Sequence, residues 1–332
     1  MSQGGTYRGR YAPSPTGPLH LGNARTALLS WLAARAAGGA YLVRIEDLDG
    51  PRVRPGLEAA ILEELHWLGL DWDEGPDVGG AVGPYRQSER QGAYAVALRA
   101  LRESGRAYPC FCSRAEIALA SRAPHASDEG PRYPGTCRSL GAADREERAR
   151  RRPPAWRLQV DEGRVSFVDG VHGPCAYDVA DAVGDFVVAR ADGIPAYQLA
   201  VAVDDAAMGI TEVVRGDDLL PSTARQVLVY RALGLAAPRF AHVPLVVGPD
   251  GERLAKRHGA LSLGELRRRG ADPRAVAGLL ASLSGLAPPG TRLHPSELVA
   301  GFRMEELSRA AARLDPAAAE VLAGAPGGSA GG

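Results

Sequence analysis

The sequence predicts an α/β protein built around a parallel sheet, and three observations carry that prediction. Short apolar runs of strand length alternate with longer segments of helical periodicity, the pattern of repeated strand–helix units. The rhythm breaks between about residues 108 and 171, a stretch that holds three of the four cysteines and reads as an insertion. The chain has 332 residues, 45 % hydrophobic and 23 % charged, enough for about two soluble domains.

The elements follow in order. Residues 23–37 (NARTALLSWLAARAA) place apolar side chains at helical spacing, and Gly38 and Gly39 can end that helix. YLVRI at 41–45 reads as a buried strand leading into the polar EDLD. Residues 55–68 form a helix with proline near its first turn. Residues 88–104 open with Ser-Glu-Arg-Gln, a capping-box pattern, and stop at Gly105. In the insertion, WRLQV and RVSFV look like short antiparallel strands. The α/β rhythm resumes at Asp185, runs through TEVVRGDDL and reaches a helix over 222–233. AHVPLVV at 241–247 is a further strand, and residues from Leu263 onward read as helical and polar-faced. The glycine-rich tail from Ala325 is expected to be disordered. No internal repeat is present.

Composition excludes several classes. No run of about 18 apolar residues exists, so no membrane span is expected. The first residues, MSQGGTYRGR, lack an apolar core, so a secretory signal is not expected and a cytoplasmic location is. Basic and acidic residues balance at 39 each. That argues against coating nucleic acid by bulk charge, though not against a local basic face such as Arg148 to Arg152.

The stretch RYAPSPTGPLHLGN, residues 10–23, places three prolines ahead of a helix start. Helix N–H groups and the helix dipole there favour a phosphate. Glycine at 22 permits close approach, Asn23 sits at the same turn, and His20 can donate an imidazole N–H. The prolines lower the ordering cost of binding. A second segment, RLAKR at 253–257, carries Lys256, a cation suited to charge building on a triphosphate. Arg10 and Arg215 can pair with carboxylates, Glu46 with an ammonium, and Tyr197 can add a hydroxyl. All four fall at ends of predicted elements, where α/β sheets bind ligands. Asp217 and Asp218 are expected to fix Arg215 or its loop. Cys110, Cys112 and Cys137 supply three thiolates, one short of the tetrahedral set zinc prefers. The fourth ligand need not be cysteine, and His125 is a candidate by type. Three free thiols in a small hydrophobic patch are the other reading. Cys175 reads as a small core residue.

HLGN and RLAKR together resemble the HIGH and KMSKS signatures of class I aminoacyl-tRNA synthetases. RYAPSPTGPLHLGNARTAL, LVRIEDLD, YRQSER, DFVVARADGIPAYQLAVAVDD and VVRGDDLLPST resemble the glutamyl-type members over most of the chain. Arg253 and Ala255 depart from the usual lysine and serine of the second signature; Lys256 matches. Only a short stretch follows RLAKR, so the chain resembles the shortened glutamyl-queuosine tRNA(Asp) synthetase family.

The resemblance implies a Rossmann-like parallel sheet, an inserted zinc-binding subdomain and a short helical C-terminal region. The implied divisions are 1–107 and 176–245 for the two halves of the catalytic domain, 108–175 for the insertion, 246–324 for the signature loop and helical region, and 325–332 for the tail. It implies a glutamate site at Arg10, Ala12, Pro13, Ser14, Glu46, Tyr197 and Arg215. It implies an ATP site at His20, Gly22, Asn23, Arg253 and Lys256, with His20 and Lys256 catalytic. It makes Tyr133 the fourth ligand, beside Cys110, Cys112 and Cys137, of one Zn²⁺ per chain. The implied reaction is ATP-dependent activation of L-glutamate, with Mg²⁺ and without tRNA, and transfer to queuosine in tRNA(Asp) by a monomer with no membrane partner. The competing expectations are a shortened glutamyl-tRNA synthetase charging tRNA(Glu) and a non-catalytic zinc-dependent RNA-binding module.

Overall fold

The computed structural model describes residues 6–120, 132–161, 163–248, 250–252 and 262–315, without the side chains of residues 118–120. Strand β1 (Arg8–Tyr11) runs parallel to β2 (Ala40–Val43), Arg8 opposite Ala40 and Tyr11 opposite Val43. Helix α1 (Leu21–Ala36) connects them. Its buried residues, among them Leu21, Leu28 and Leu32, lie on nearly every side, as in a helix enclosed by protein. Gly38, at φ 61°, takes the left-handed conformation that ends the helix. The start lies two residues before the expected Asn23. His20 is the N-cap, its Nδ1 accepting the Asn23 N–H at 3.4 Å. Gly22 and Asn23 therefore sit inside the first turn, where N–H groups have no helical partner.

Helix α2 (Leu57–Trp67) follows, then a 3₁₀ turn (Gln87–Arg90) and α3 (Gln91–Glu103). The expected capping box at Ser88 is absent. Ser88 gives its N–H and hydroxyl to Asp47 instead, so the loop after β2 claims the side chain that would have capped the helix. Strand β3 (Ala107–Cys110), α4 (Arg114–Ala120), α5 (Ala142–Arg151) and β4 (Ala155–Leu158) come next. β3 and β4 are antiparallel, as WRLQV suggested. Strand β7 (Phe186–Ala189), expected to resume the parallel rhythm, instead pairs antiparallel with β4.

Strand β5 (Arg164–Asp169) makes a hairpin with β6 (Gly173–Asp178), and α6 (Val179–Ala182) leads on to β7. Helix α7 (Tyr197–Ala207), β8 (Glu212–Gly216), α8 (Leu220–Leu233) and β9 (Arg239–Val243) restore the parallel pattern, β8 beside β9. β5 touches β9 in parallel at one pair, Asp169 and Phe240. The Thr211 N–H donates to the Arg8 carbonyl, bringing β1 against the start of β8. The AHVPLVV segment is not one strand. Pro244 lacks an N–H for the ladder, and a separate β10 (Val246–Val247) pairs with β11 (Ala312–Arg313).

Helices α9 (Leu263–Arg268) and α10 (Pro273–Ser282) complete the described elements. The expectation of a polar-faced region fails at α10, which buries Val276, Ala277 and Leu280 against the core under α1. Consecutive residues of β8 face opposite cores. Val214 joins α1, α2 and α10; Val213 joins α3, α7 and α8. Helices thus cover both faces of the parallel strands, the α/β layering the sequence predicts. No helix of the described residues is long and apolar enough to cross a membrane. The tail from Ala325 lies outside the described residues.

Candidate active site

A cavity of about 570 Å³ opens where the C-terminal ends of β1 and β8 meet the N-terminus of α1. The predicted glutamate residues Arg10, Ala12, Pro13, Ser14, Glu46, Tyr197 and Arg215 all line it. So do His20, Gly22 and Asn23 of the predicted ATP set. Arg253 and Lys256, and the rival metal ligand His125, lie outside the described residues. The flanks of the lysine segment do reach the cavity. Val246 lines it, and Ser262 forms a β-bridge with His20.

Local chemistry explains how the chain builds this rim. The proline loop is strapped to the segment after β2, the Glu46 N–H donating to the Pro13 carbonyl at 3.0 Å and the Arg54 N–H to that of Pro15 at 3.2 Å. His20 accepts through Nδ1, so the neutral ring carries its proton on Nε2. A Cβ on Gly22 would lie 3.2 Å from the His20 ring, so any larger residue in that turn would press on the ring. The first turn of α1 holds no acidic residue to compete with an anion.

Beneath the cavity lies a buried charge network. Arg44, fully enclosed, donates to Asp205 at 2.7 Å and to Glu46 at 3.1 Å, with Asp204 at 3.7 Å. Asp204 also accepts from Arg90, Gln87 and Tyr94. Arg10 reaches Asp205 at 3.4 Å. Burial raises the Glu46 carboxyl above its ordinary range, against the pull of Arg44 and Arg10. A carboxylate in that state gains from an incoming ammonium.

Arg215 is different. It is 4 % exposed, yet its partners are His242 Nε2 at 3.0 Å, Thr223 Oγ1 at 2.7 Å, and the Tyr197 hydroxyl and Leu219 carbonyl at 3.5 Å. Asp217 does not hold it; Asp217 accepts the Leu245 N–H at 3.2 Å and pins the loop instead. Sequence reasoning missed Arg44, Asp204, Asp205, Thr223, His242 and Asp169. Arg44, Asp204 and Asp205 stand inside quoted motifs, and a charged residue within an apolar run was the available signal. Asp169 and His242 left no such signal.

The cysteine cluster lies beyond Glu46. The Cys110, Cys112 and Cys137 sulfurs lie within 4.8 Å of one another, Cys112 and Cys137 at 3.6 Å. The Tyr133 hydroxyl sits 3.3 Å from Cys110 Sγ and 3.8 Å from Cys112 Sγ. A tetrahedron with metal–sulfur bonds of about 2.3 Å has edges near ~3.8 Å. The donor set therefore fits a zinc ion. The burial of Cys112 and the neighbouring Cys110 push its thiol up to about 12, since clustered thiolates repel unless a cation joins them. Cys175 is not in the core; it is half-buried on β6, opposite Phe167. A second cavity, about 560 Å³, shares Ser14, Glu46 and Tyr197 with the first and reaches Cys112, Arg114, Arg157 and Arg190.

The fold and the pocket belong to a class of enzymes that join an acid to an acceptor at the expense of ATP. The profile of tRNA synthetases class I (E and Q), catalytic domain, matches residues 6–312, so the chain is a class I synthetase, an ATP-dependent ligase. A glutamyl-Q tRNA(Asp) synthetase of Symbiobacterium thermophilum is 52 % identical over 97 % of this chain and 99 % of its own length, and the chain belongs to that family. A glutamate–tRNA ligase of Halorhodospira halophila is 48 % identical over 94 % of this chain but only 65 % of its own. The crystal structure of a glutamate tRNA ligase from Elizabethkingia meningosepticum with its amino acid superposes at a TM-score of 0.85, with 32 % identity over 96 % of this chain and 69 % of the other.

Proposed function

We propose that the chain activates L-glutamate with ATP, without tRNA, and transfers the glutamyl group to queuosine in the anticodon loop of tRNA(Asp). The observation that carries the activation step is the cavity in which two buried arginines, the buried Glu46 and the His20-capped N-terminus of α1 converge. Arg10 and Arg215 receive the carboxylates and Glu46 the ammonium. Ser14 and the backbone at Ala12 and Pro13 close the wall beside them.

ATP places its phosphates against the first turn of α1, arriving with Mg²⁺. A glutamate α-carboxylate oxygen bonds to the α-phosphorus, the bond from that phosphorus to the pyrophosphate oxygen breaks, and pyrophosphate leaves. His20 through Nε2–H, the N–H of Gly22 at the turn that Asn23 shares, and Lys256 with Arg253 stabilise the charge that builds on the phosphates. A queuosine hydroxyl then attacks the activated carbonyl and AMP departs. Positioning and electrostatics carry both steps, with no side chain set as general base.

The acceptor comes through the second cavity, whose arginines suit a nucleotide and which meets the first at Ser14, Glu46 and Tyr197. Cys110, Cys112, Cys137 and Tyr133 would hold one zinc, which with four protein donors would serve the folding of that region. The enzyme works as a cytoplasmic monomer. The test is transfer of labelled glutamate to three RNAs: tRNA(Asp) with queuosine, tRNA(Asp) without it, and tRNA(Glu). Label on the first alone is expected. Label on tRNA(Glu) would make the chain a shortened glutamyl-tRNA synthetase.

A further inference from the structure

We infer that Asp169 and His242 are positioning residues that hold Arg215 fixed and without a carboxylate partner, so that its charge is kept for the substrate. The inference rests on the reading of the cavity as a glutamate site. Three strands and a helix meet here. Asp169 ends β5, His242 and Arg215 stand opposite each other on β9 and β8, and Thr223 is on α8.

The hydrogen positions follow from the partners. An arginine Nε–H can only donate, so His242 accepts it at Nε2 at 3.0 Å. The neutral imidazole then carries its proton on Nδ1 and donates it to Asp169 Oδ2 at 2.6 Å. The other Asp169 oxygen accepts the backbone N–H groups of Val171, His172 and His242. That carboxylate is fixed by three amides and fixes the ring in turn. Thr223 Oγ1 accepts from Arg215 Nη2. With Nε and Nη2 anchored, the guanidinium has one edge left for a ligand. That is Nη1, which meets the hydroxyl of Tyr197 at the cavity wall. The Phe240 ring lies below, 5.5 Å from the guanidinium carbon.

The arrangement solves a specific problem. A buried arginine held by a carboxylate is fixed but already neutralised. One held by neutral groups alone lacks a strong anchor. Placing a neutral imidazole between Asp169 and Arg215 supplies an anchored acceptor while keeping that carboxylate one ring away. Burial favours the neutral ring, with the Arg215 charge acting in the same direction.

Five chains test this in glutamate-dependent pyrophosphate–ATP exchange: wild type, His242→Leu, His242→Gln, Asp169→Asn and His242→Leu combined with Asp169→Asn. Leucine removes the acceptor. Glutamine restores a carbonyl acceptor. Asparagine is the sharp case. Its oxygen must face the three backbone N–H groups, so its amide turns an N–H toward His242 Nδ1. The ring must then carry its proton on Nε2, against the arginine N–H. His242→Leu and Asp169→Asn are expected to raise the glutamate KM roughly 10- to 100-fold, with the ATP KM within about 2-fold. His242→Gln is expected to stay within about 5-fold of wild type. Combining the two damaging changes should add less than about 2-fold to either, because Asp169 acts through His242.

A wild-type glutamate KM in Asp169→Asn would overturn the relay and leave the glutamate site standing. So would equal rises in both KM values. Absence of glutamate-dependent exchange in the wild type overturns the site and the relay together. Should His242→Leu fail to fold, Asp169→Asn decides alone.

Discussion

Two buried arginines lie within one layer of this protein and are treated in opposite ways. Arg44 is surrounded by Asp204, Asp205 and Glu46. Among the described residues Arg215 bonds only to neutral groups. The charge of the first is consumed by the fold, where it ties the end of β2 to α7. The second keeps its charge for what enters the cavity. Burial alone does not set a cation's role; Arg215 differs from Arg44 in having no carboxylate among its partners in the described residues, and Arg10, 3.4 Å from Asp205, lies between the two.

The comparison breaks most violently at Arg44. Arg44→Met takes from the buried Glu46 and Asp205 their shortest contact to a cation, and loss of about 3–5 kcal/mol of stability is expected, read as a lower urea midpoint. Arg215→Met should instead leave the midpoint nearly unchanged and cut kcat/KM for glutamate by about 10²- to 10³-fold. Equal stability losses in the two variants would mean the distinction is wrong.

Acid titration sharpens it further. Burial holds His242 down to about 4, with Arg215 and His172 adding to the shift and Asp169 opposing it. In the unfolded chain the ring protonates near the ordinary ~6.5. On acidification the unfolded state therefore takes the proton first. Stability present above pH ~6.5 is lost as pH falls toward 4, by an amount on the order of 2–3 kcal/mol. His242→Gln should lose that much less over the same window in pH-dependent urea unfolding.

Metal removal is a smaller effect on the cavity. Purified protein should hold one zinc, and Cys137→Ser should hold none, by elemental analysis under reducing conditions. Glutamate exchange should then fall less than transfer to tRNA, because the cysteine cluster adjoins the second cavity rather than the first. Smallest is Gly22→Ala. Its Cβ presses the His20 ring, and the ATP KM should rise by about 3- to 10-fold with the glutamate KM unmoved. Lys256 is the only lysine in the chain, so an amine-directed acylating reagent reports on that side chain and the N-terminus alone. ATP should slow its modification.

The sequence by itself determined the layers and the cavity wall. Apolar periodicity exposed α1, α2 and α8, and helix-start chemistry exposed the turn at His20. The residues from Arg10 to Asn23 were legible because a ligand site on a strand–helix turn is written in contiguous residues. The reading of β7 as a parallel strand failed because periodicity reports which side chains are buried, not which neighbour pairs with the strand. Pro244 was visible, but its division of one apolar run into β9 and β10 needed the partner β11 from far along the chain. Only the tertiary structure decided which arginine is free to act. Asp169 lies 73 residues from His242, and His242 lies 27 from Arg215. A hydrogen-bond relay of that kind has no sequence period, because its spacing is set by the order in which strands lie side by side.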